Sequence, residues 1–235
     1  MRGNSSSARN FSTSFATRSE SSSGGLTHID GSGRPSMVNV SDKIVTKRSA
    51  TASGRIHIPK IAYDLIAGPT TPDTASETSV TKTATQIALE KARSKGNVLT
   101  VAQLAAIMGC KRTSDLIPLC HPLPLSHISV SLRLEDGMAT AQQSSELVET
   151  SDSGSVKGGG SQLEHRSSYS IVCEATVVCE GKTGVEMEAL TAVSVGLLTV
   201  WDMLKAIAGR EMIIGDIVVQ HKEGGKSGDF IREAP

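Results

Sequence analysis

The chain has 235 residues and a formal net charge of zero at pH 7, with 24 basic and 24 acidic side chains. This length suffices for a buried core, and the balanced charge gives no global field that would favour nucleic acid or an anionic membrane. Only 3% of the residues are aromatic, so we expect a core of Val, Ile, Leu and Ala. No unbroken run reaches the roughly 18 apolar residues of a membrane span, which predicts a soluble protein without a membrane partner.

The first 25 residues (1–25) lie outside the predicted fold. They contain Arg2, Arg9 and Arg18, nine serines and a single acidic residue, Glu20. This composition is typical of a mitochondrial transit peptide, and an ordinary disordered tail is the alternative. The segment therefore predicts a location in the mitochondrial matrix.

The next predicted elements are an insertion and two helices. Residues 68–83 are rich in Thr, Ser and Pro without any period, so we interpret them as a flexible surface insertion. Helical propensity and apolar spacing predict a helix over 83–93. A second helix is predicted over Leu99–Met108, with Gly109 as its C-cap.

The segment DLIPLCHPLPL (115–125) places Cys120 and His121 between prolines, which predicts an extended and stiff backbone. A lone His in such a setting is most often a structural residue. No second ligand stands at a metal-site spacing, so no metal site is predicted. The chain has no CxxC pair, and we interpret its four cysteines as free thiols of a reducing compartment. Cys173 and Cys179 are expected on one face of a strand.

Two strands and a long helix follow. Residues 127–135 alternate with period two, and residues 170–180 are rich in β-branched side chains. We expect them to form an antiparallel pair whose connection is lengthened by a flexible insertion at 142–168. A helix is predicted over 184–208, and two short strand pieces flank a glycine within 211–223. Helices mixed with antiparallel strands predict the α+β class.

The long helix carries charged residues at both ends. Thr183 and Glu186 match a capping box, while the role of Glu188 stays open between structure and binding. Asp202 and Lys205 stand three residues apart and are expected to form an ion pair. Glu188 and Asp202 are fourteen residues apart, which is about 21 Å along one helix. One ligand could contact both ends only if it is long or if a second subunit contributes, so functional roles for both predict an oligomer with interfacial sites.

The C-terminal run Gly224–Gly228 resembles the end of a P-loop but fails its pattern, because Gln220 stands where that pattern requires glycine. A glycine-rich turn with Lys222 and Lys226 can still bind phosphate through backbone amides and ammonium groups. The alternative is a flexible tail.

Seven strings together resemble the MoaC-type family of cyclic pyranopterin monophosphate synthases. In chain order they are LTHID, SMVNVSDK, KGNVL, KRTSDLIPLCHPL, KTGVEMEALTAVSV, WDMLKA and GGKSGDF. The resemblance covers the chain outside the tail and the two insertions. It implies one domain over 26–235, with a ferredoxin-like antiparallel sheet packed by helices. It also implies a homohexamer, a trimer of dimers, with active sites at the dimer interfaces.

The resemblance also implies a reaction. The substrate would be 3′,8-cyclo-7,8-dihydro-GTP, rearranged by a lyase to cyclic pyranopterin monophosphate with release of pyrophosphate. This is an early step of molybdenum cofactor biosynthesis, and it implies a functional link to the radical SAM GTP cyclase. No cofactor is predicted, and a requirement for Mg²⁺ is left open.

The resemblance implies functional residues, which are carried over one by one onto the matching positions of this chain. Those that fall on functional positions of the family are Lys95, His121, Glu186, Glu188, Asp202 and Lys205. Those that match positions suited to the triphosphate are Arg48, Lys222 and Lys226. Clustered cations stabilise a departing pyrophosphate by electrostatics.

Our hypothesis makes Lys95 and Lys205 the acid/base pair, because a lysine crowded by cations has a lowered pKa. Asp202 positions Lys205. Glu186 and Glu188 hold the edge of the base, and His121 assists binding.

The chain departs from the family's pattern at Asn39 and Asn97, where we expect Asp. An inactive subunit of the same pathway is therefore the alternative to an enzyme. A nucleic-acid-binding module is disfavoured, because the chain lacks an aromatic platform and a net positive charge.

Overall fold

The structure, a computed structural model, describes residues 27–68, 96–136, 169–226 and 228–233. The chain divides into two units, Met1–Val38 and Asn39–Pro235. Several predictions lie outside the described residues and stay predictions: the transit segment 1–25, the insertions 68–83 (beyond Gly68) and 142–168, the helix over 83–93, and Lys95.

The described part of the first unit, residues 27–38, is a small turn closed by its own backbone. Ile29 pairs with Pro35 in an isolated antiparallel bridge. The carboxylate of Asp30 accepts the backbone N–H of Arg34 at 2.9 Å. An Asp side chain that bonds the backbone in this way holds a tight turn.

The second unit is built on an antiparallel sheet whose strand order is β2-β3-β1-β4-β5. The strands are β1 (Thr46–Ile58), β2 (Leu125–Asp136), β3 (Tyr169–Gly181), β4 (Ile213–Glu223) and β5 (Phe230–Ile231). The helices are α1 (Lys60–Ala67), α2 (Val98–Lys111), α3 (Thr113–Leu116) and α4 (Glu186–Ala208). The succession β1-α2-β2-β3-α4-β4 with this strand order is the ferredoxin-like βαββαβ arrangement, so the predicted fold class is confirmed.

The central strand β1 and the helix α1 were not predicted from the sequence. The inward side chains of β1 are mostly small, which hides the period-two signal: Ala50, Ala52, Gly54, Ile56 and Ile58. A Cβ on Gly54 would lie 2.7 Å from Cγ1 of Val193 in α4, so the glycine lets the long helix lie close against the sheet.

Small residues also hold α2 close to α4. A Cβ on Gly109 would lie 2.7 Å from Cγ2 of Val195, and one on Gly196 would lie 3.2 Å from Cβ of Ala106. The predicted helix over Leu99–Met108 is confirmed, but it continues through Gly109 to Lys111. Gly109 is therefore a packing residue and not the C-cap.

The predicted antiparallel pair is confirmed, with Val130 of β2 opposite Ala175 of β3. The two strand pieces predicted within 211–223 are instead one strand, β4. It keeps its pairing with β1 through register shifts near Ser53 and Thr51, and Asp216 takes a positive φ of 55° at this irregularity. A bulge of this kind adds a residue without ending a strand.

The proline segment is less extended than predicted. Asp115 and Leu116 belong to the short helix α3, and the N–H of Cys120 donates to the carbonyl of Ile117 at 3.0 Å, which closes a turn. The four cysteines are free thiols, as predicted, and Cys173 and Cys179 are both buried on the helix-covered face of β3.

The long helix α4 is the main core element, with Leu197, Val200 and Leu204 fully buried. It is also, among the described residues, the one helix whose 23 residues and mean hydropathy of 1.5 suit a membrane span by length and composition. The search of the sequence for an unbroken apolar run therefore missed how apolar this helix is on average. Core helices of soluble proteins meet the same criterion.

The face of the sheet opposite the helices carries a polar network. Nη1 of Arg55 in β1 donates to Oε2 of Glu135 in β2 at 2.6 Å and to Oγ of Ser170 in β3 at 2.5 Å. Ser170 is 2% exposed, and the side chains of Arg55 and Glu135 are 32% and 28% exposed. This three-strand cluster is the Arg55 network.

Candidate functional site

A cavity of about 680 Å³ lies where β1 begins and where β3 and β4 end, and we call it the cationic cavity. Its basic lining side chains outnumber its acidic ones, which are Asp42, Glu186 and Glu223. The basic side chains are Lys43, Arg48, Lys182, Lys222 and Lys226. An excess of fixed positive charge in a cleft attracts an anionic ligand.

Arg48 reaches the cavity from β1 and packs against the glycine turn after β4. Gly224 and Gly225 have positive φ angles of 86° and 96°. A Cβ on Gly225 would come within 1.8 Å of Nη1 of Arg48, and the positive φ would strain any residue with a side chain, so glycine suits this position. Nε of Arg48 is buried without a hydrogen-bond partner among the described residues. A buried donor without a partner is uncommon in folded proteins, so this part of Arg48 calls for an explanation.

Glu186 is placed differently from the capping-box prediction, which is wrong. The helix begins at Glu186, its N-cap is Val185, and no side chain caps it. Because the helix begins after Thr183, Thr183 is not its N-cap, and the Glu186 carboxylate does not accept the hydrogen bond from the Thr183 amide that a capping box requires. It folds over Gly184, where a Cβ would lie 1.9 Å from Oε2, and Oε1 lies 3.5 Å from Nζ of Lys222.

Glu188 stands two residues further along α4, does not line the cavity and is 4% exposed. Burial raises its pKa, and the charge of Glu186 raises it further, against a lowering by its own backbone amide. Burial and the charge of Glu188 likewise raise the pKa of Cys110 to about 12, with Lys111 acting in the opposite direction. The same two causes, in the same order, raise the pKa of Cys120.

The remaining predicted residues do not line the cationic cavity. His121 is half-buried in the irregular segment between α3 and β2. Asp202 and Lys205 form the predicted ion pair at the far end of α4, with Nζ of Lys205 donating to Oδ1 of Asp202 at 2.5 Å. Lys205 borders a separate depression of about 530 Å³ around Trp201 and Arg210. One chain therefore does not bring the two ends of α4 together.

Sequence reasoning missed Lys43 and Lys182 as cavity residues, although both stand in the quoted strings SMVNVSDK and KTGVEMEALTAVSV. Nζ of Lys182 donates to the carbonyl oxygen of Ser41 at 2.6 Å, which holds the 39–45 loop as one wall of the cavity.

No group of three or more His, Cys, Asp or Glu side chains placed to hold a metal ion occurs within the described ranges. The donors that the cavity does offer are ammonium, guanidinium and backbone N–H groups. These recognise phosphate oxygens by charge and hydrogen bonding.

Comparisons with known proteins agree with this geometry. The family model described as MoaC family matches residues 37–225. The chain is 41% identical over 207 residues to the Campylobacter lari protein named cyclic pyranopterin monophosphate synthase, covering 88% of this chain and 98% of that protein. The chain belongs to the MoaC family.

Other relatives share the name. The Helicobacter hepaticus cyclic pyranopterin monophosphate synthase is 39% identical over 208 residues, covering 88% of this chain and 98% of its own. The Parvibaculum lavamentivorans protein of the same name is 42% identical over 205 residues, covering 87% of this chain and 95% of its own. The resemblance to the MoaC family is therefore confirmed over most of the chain.

The two asparagines that depart from the expected MoaC pattern have local backbone roles. Oδ1 of Asn97 accepts the N–H of Thr100 at 3.0 Å as the N-cap of α2. Oδ1 of Asn39 accepts the N–H of Ser41 at 2.9 Å. Asn and Asp serve equally well as such acceptors. Both asparagines therefore have a structural role that Asp could also fill.

Proposed function

We propose that this chain is a cyclic pyranopterin monophosphate synthase. It converts 3′,8-cyclo-7,8-dihydro-GTP to cyclic pyranopterin monophosphate and pyrophosphate, as a lyase of molybdenum cofactor biosynthesis. The observation that carries the proposal is the cationic cavity beside a carboxylate, in a chain about 41% identical to proteins with that name.

The cationic cavity receives the triphosphate. Arg48, Lys222 and Lys226 surround the phosphate oxygens, with Lys43 and Lys182 adding charge. As the bond to pyrophosphate breaks, negative charge grows on the leaving oxygen, and fixed cations stabilise that charge without reorganising.

The start of α4 receives the base. A carboxylate there accepts hydrogen bonds from the N–H and NH₂ edge of a guanine-type ring, and Lys222 holds Glu186 at 3.5 Å next to the cavity. Glu188 lies two residues further into the helix, and His121 assists binding from the loop before β2.

Lys95 and Lys205 form the acid/base pair of the rearrangement, with Asp202 positioning Lys205. Support for the second half of this assignment is the hydrogen bond of 2.5 Å between Lys205 and Asp202. A carboxylate that fixes an ammonium group also fixes the direction in which its proton leaves.

Two chains complete each active site, within a homohexamer built as a trimer of dimers. The support is geometric: Glu188 and Asp202 are about 21 Å apart along α4, which is too far for one small ligand to contact both within one chain. An apolar stripe on α2, formed by Val101, Leu104 and Met108, is exposed and suits a contact between copies.

Incubation of the purified protein with 3′,8-cyclo-7,8-dihydro-GTP tests the activity. Release of pyrophosphate together with pterin fluorescence is the expected result, and their absence would support an inactive subunit. Lys205→Ala is expected to lose activity far beyond a few-fold, and a loss of only a few-fold would remove Lys205 from the acid/base role. Lys60→Ala, which changes an exposed lysine paired with Asp64, is the matched control.

Mixing two inactive variants tests the shared site. If Glu186 and Lys205 of one site come from different chains, Glu186→Gln and Lys205→Ala proteins recover activity when denatured and refolded together. Random pairing restores about one quarter of the wild-type sites. No recovery, with hetero-oligomers verified by mass, would place both residues in one chain.

We propose the mitochondrial matrix as the location, on the composition of residues 1–25. The protein would there receive its substrate from the radical SAM GTP cyclase. N-terminal sequencing of the mature protein is expected to begin near the end of that segment, and an intact first residue would contradict the proposal.

A further inference from the structure

The glycine turn after β4 is packed directly on the start of β1. A Cβ on Gly224 would lie 2.4 Å from the carbonyl oxygen of Lys47, and one on Gly225 would lie 1.8 Å from Nη1 of Arg48. The backbone of the turn therefore lies against the Arg48 side chain and limits the positions that the guanidinium can take in the cationic cavity. Movement of the turn would release that constraint.

The turn has little conformational preference of its own. Gly224, Gly225 and Gly228 all have positive φ angles, of 86°, 96° and 72°. Glycine reaches this region without strain, but it also loses more conformational freedom than any other residue when it is fixed there. The strand that follows, β5, has two residues and pairs with β4 at His221 and Lys222. A further contact that fixes the turn therefore has a large effect on its order.

Asp229 supplies such a contact. Oδ1 of Asp229 accepts the N–H of Gly224 at 2.9 Å, so the bond joins the residue before β5 to the first residue after β4. A second bond in the turn, from the N–H of Gly228 to the carbonyl of Gly225, is longer at 3.3 Å. A charged acceptor makes the stronger hydrogen bond. Among the described residues, Asp229 is thus the side chain that bonds the backbone of this turn.

The charge of Asp229 has the wrong sign for direct use in the cavity. Asp229 is exposed, does not line the cationic cavity and would repel an anionic ligand. If charge were its only effect, its removal would strengthen anion binding. Asp42 provides a comparison, because it lines the cavity and its side chain makes no hydrogen bond within the described ranges. The two carboxylates therefore separate an effect of charge from an effect of structure.

We propose that Asp229 is a positioning residue of the cationic cavity, which orders the glycine turn and thereby holds Arg48 in place for phosphate oxygens. This rests on the proposed function, in which the cavity receives the triphosphate. A side chain that is fixed before binding loses less entropy when the ligand arrives, so the affinity for the ligand rises. This gain outweighs the repulsion, because water and salt screen an exposed charge that does not contact the ligand.

Calorimetric titration of the full chain with inorganic triphosphate tests the sign of the effect. Asp42→Ala removes charge alone and is expected to raise the affinity for triphosphate. Asp229→Asn keeps an oxygen acceptor and should bind at least as tightly as wild type. Asp229→Ala loses the acceptor and should bind about 10-fold more weakly, because the turn is less often ordered. An affinity of Asp229→Ala equal to that of Asp229→Asn, or above that of wild type, would overturn the proposal.

Combined variants test the route through Arg48. In the Arg48→Met background, Asp229→Ala should weaken triphosphate binding by less than about 3-fold, because the side chain that the turn positions is gone. Two independent residues would instead have additive effects. A loss of about 10-fold in both backgrounds would therefore contradict a positioning role for Asp229.

Hydrogen exchange of the ligand-free protein tests the order of the turn without any ligand. The Gly224 amide should exchange about 10-fold faster in Asp229→Ala than in wild type, and at the wild-type rate in Asp42→Ala. An unchanged rate in Asp229→Ala would rule out the ordering role. Triphosphate binding without turnover of the substrate would remove the synthase assignment and leave this inference standing. A wild-type protein that binds no triphosphate would overturn both.

Discussion

Two regions of the molecule remove a glutamate from water, and they treat it in opposite ways. In the Arg55 network, burial alone would raise the pKa of Glu135, but the hydrogen bonds and charges of Arg55 and Arg133 together outweigh it and lower the pKa. At the start of α4, burial raises the pKa of Glu188, and no cation pairs with it among the described residues.

The different surroundings of the two glutamates indicate that the first region contributes to stability and the second to function. The Arg55 network joins three strands through hydrogen bonds of 2.5 and 2.6 Å, so it contributes to the fold. The region around Glu188 keeps an unmatched acid close to a cavity, which costs stability, and perturbed groups of this kind cluster at functional sites. Substitutions in the first region should change unfolding, and those in the second should change activity.

The largest effect is expected from Lys222→Ala. Removing the ammonium group takes a fixed cation from the cavity and the partner from Glu186, so kcat/KM should fall about 100-fold. The free energy of unfolding should change by less than about 1 kcal/mol, because the pair is partly exposed. Steady-state kinetics and urea unfolding measure the two quantities. A large loss of stability with intact activity would break the comparison.

The next largest effect is expected from Arg55→Met, which should change stability and leave activity unchanged. Glu135 and Ser170 lose their donor, so the free energy of unfolding should fall by about 2 kcal/mol. The kcat/KM of the folded protein should stay at the wild-type value. Arg133→Met is the matched control, because Arg133 contacts the same Glu135 at 3.1 Å from an exposed position and should cost less. Equal losses would remove the special role of Arg55.

A smaller effect of opposite sign is expected from Glu188→Gln. The native state binds the Glu188 proton more tightly than the unfolded chain, whose pKa is near 4.5, so this residue costs stability as pH rises above that value. Glu188→Gln should thus stabilise the protein by about 1 kcal/mol at pH 8 and hardly at pH 4. Glu135→Gln should destabilise it at pH 8, with the difference vanishing at low pH. If the free energy of unfolding changed with pH in the same direction for both variants, the contrast between Glu188 and Glu135 would be refuted.

The smallest effect is expected from Asn97→Asp, which places a carboxylate in a third, exposed environment. Both side chains cap α2 equally well, so the free energy of unfolding should change by only about 0.3 kcal/mol. Asn97→Ala removes the acceptor and should cost about 1 kcal/mol. Thermal unfolding compares the three proteins. A clear gain of activity in Asn97→Asp would show that the chain lacks a functional carboxylate there.

The sequence predicted those parts of the fold in which apolar side chains recur with the period of a strand or a helix. The pair β2–β3 and the helix α4 follow from alternation and helical spacing. The central strand β1 was missed because Ala50, Ala52 and Gly54 carry little apolar signal, although α4 packs directly on them. In this strand, close packing depends on the smallness of the side chains, which a hydrophobic pattern does not detect.

The candidate site was predictable in its residue types but not in its assembly. The resemblance to the family named Arg48, Glu186 and Lys222, yet their meeting depends on β1 lying between β3 and β4. The capping-box pattern also placed Glu186 wrongly, as the third residue of a helix capped by Thr183. The pattern does not predict that the turn after Gly181 continues to Val185, so that the helix begins at Glu186 itself. Contacts between distant strands are set by sheet order, which local periodicity leaves open.

The close seating of α4 has a mechanical consequence. Gly54 on the sheet and Gly109 on α2 each leave no room for even a methyl group against this helix, so α4 cannot slide along either neighbour. The helix therefore acts as a rigid spacer that holds its two charged ends at a constant distance. Any adjustment to a ligand in the cationic cavity must come from the loops at the start of the helix, the 39–45 wall and the glycine turn after β4, while the helix itself stays still.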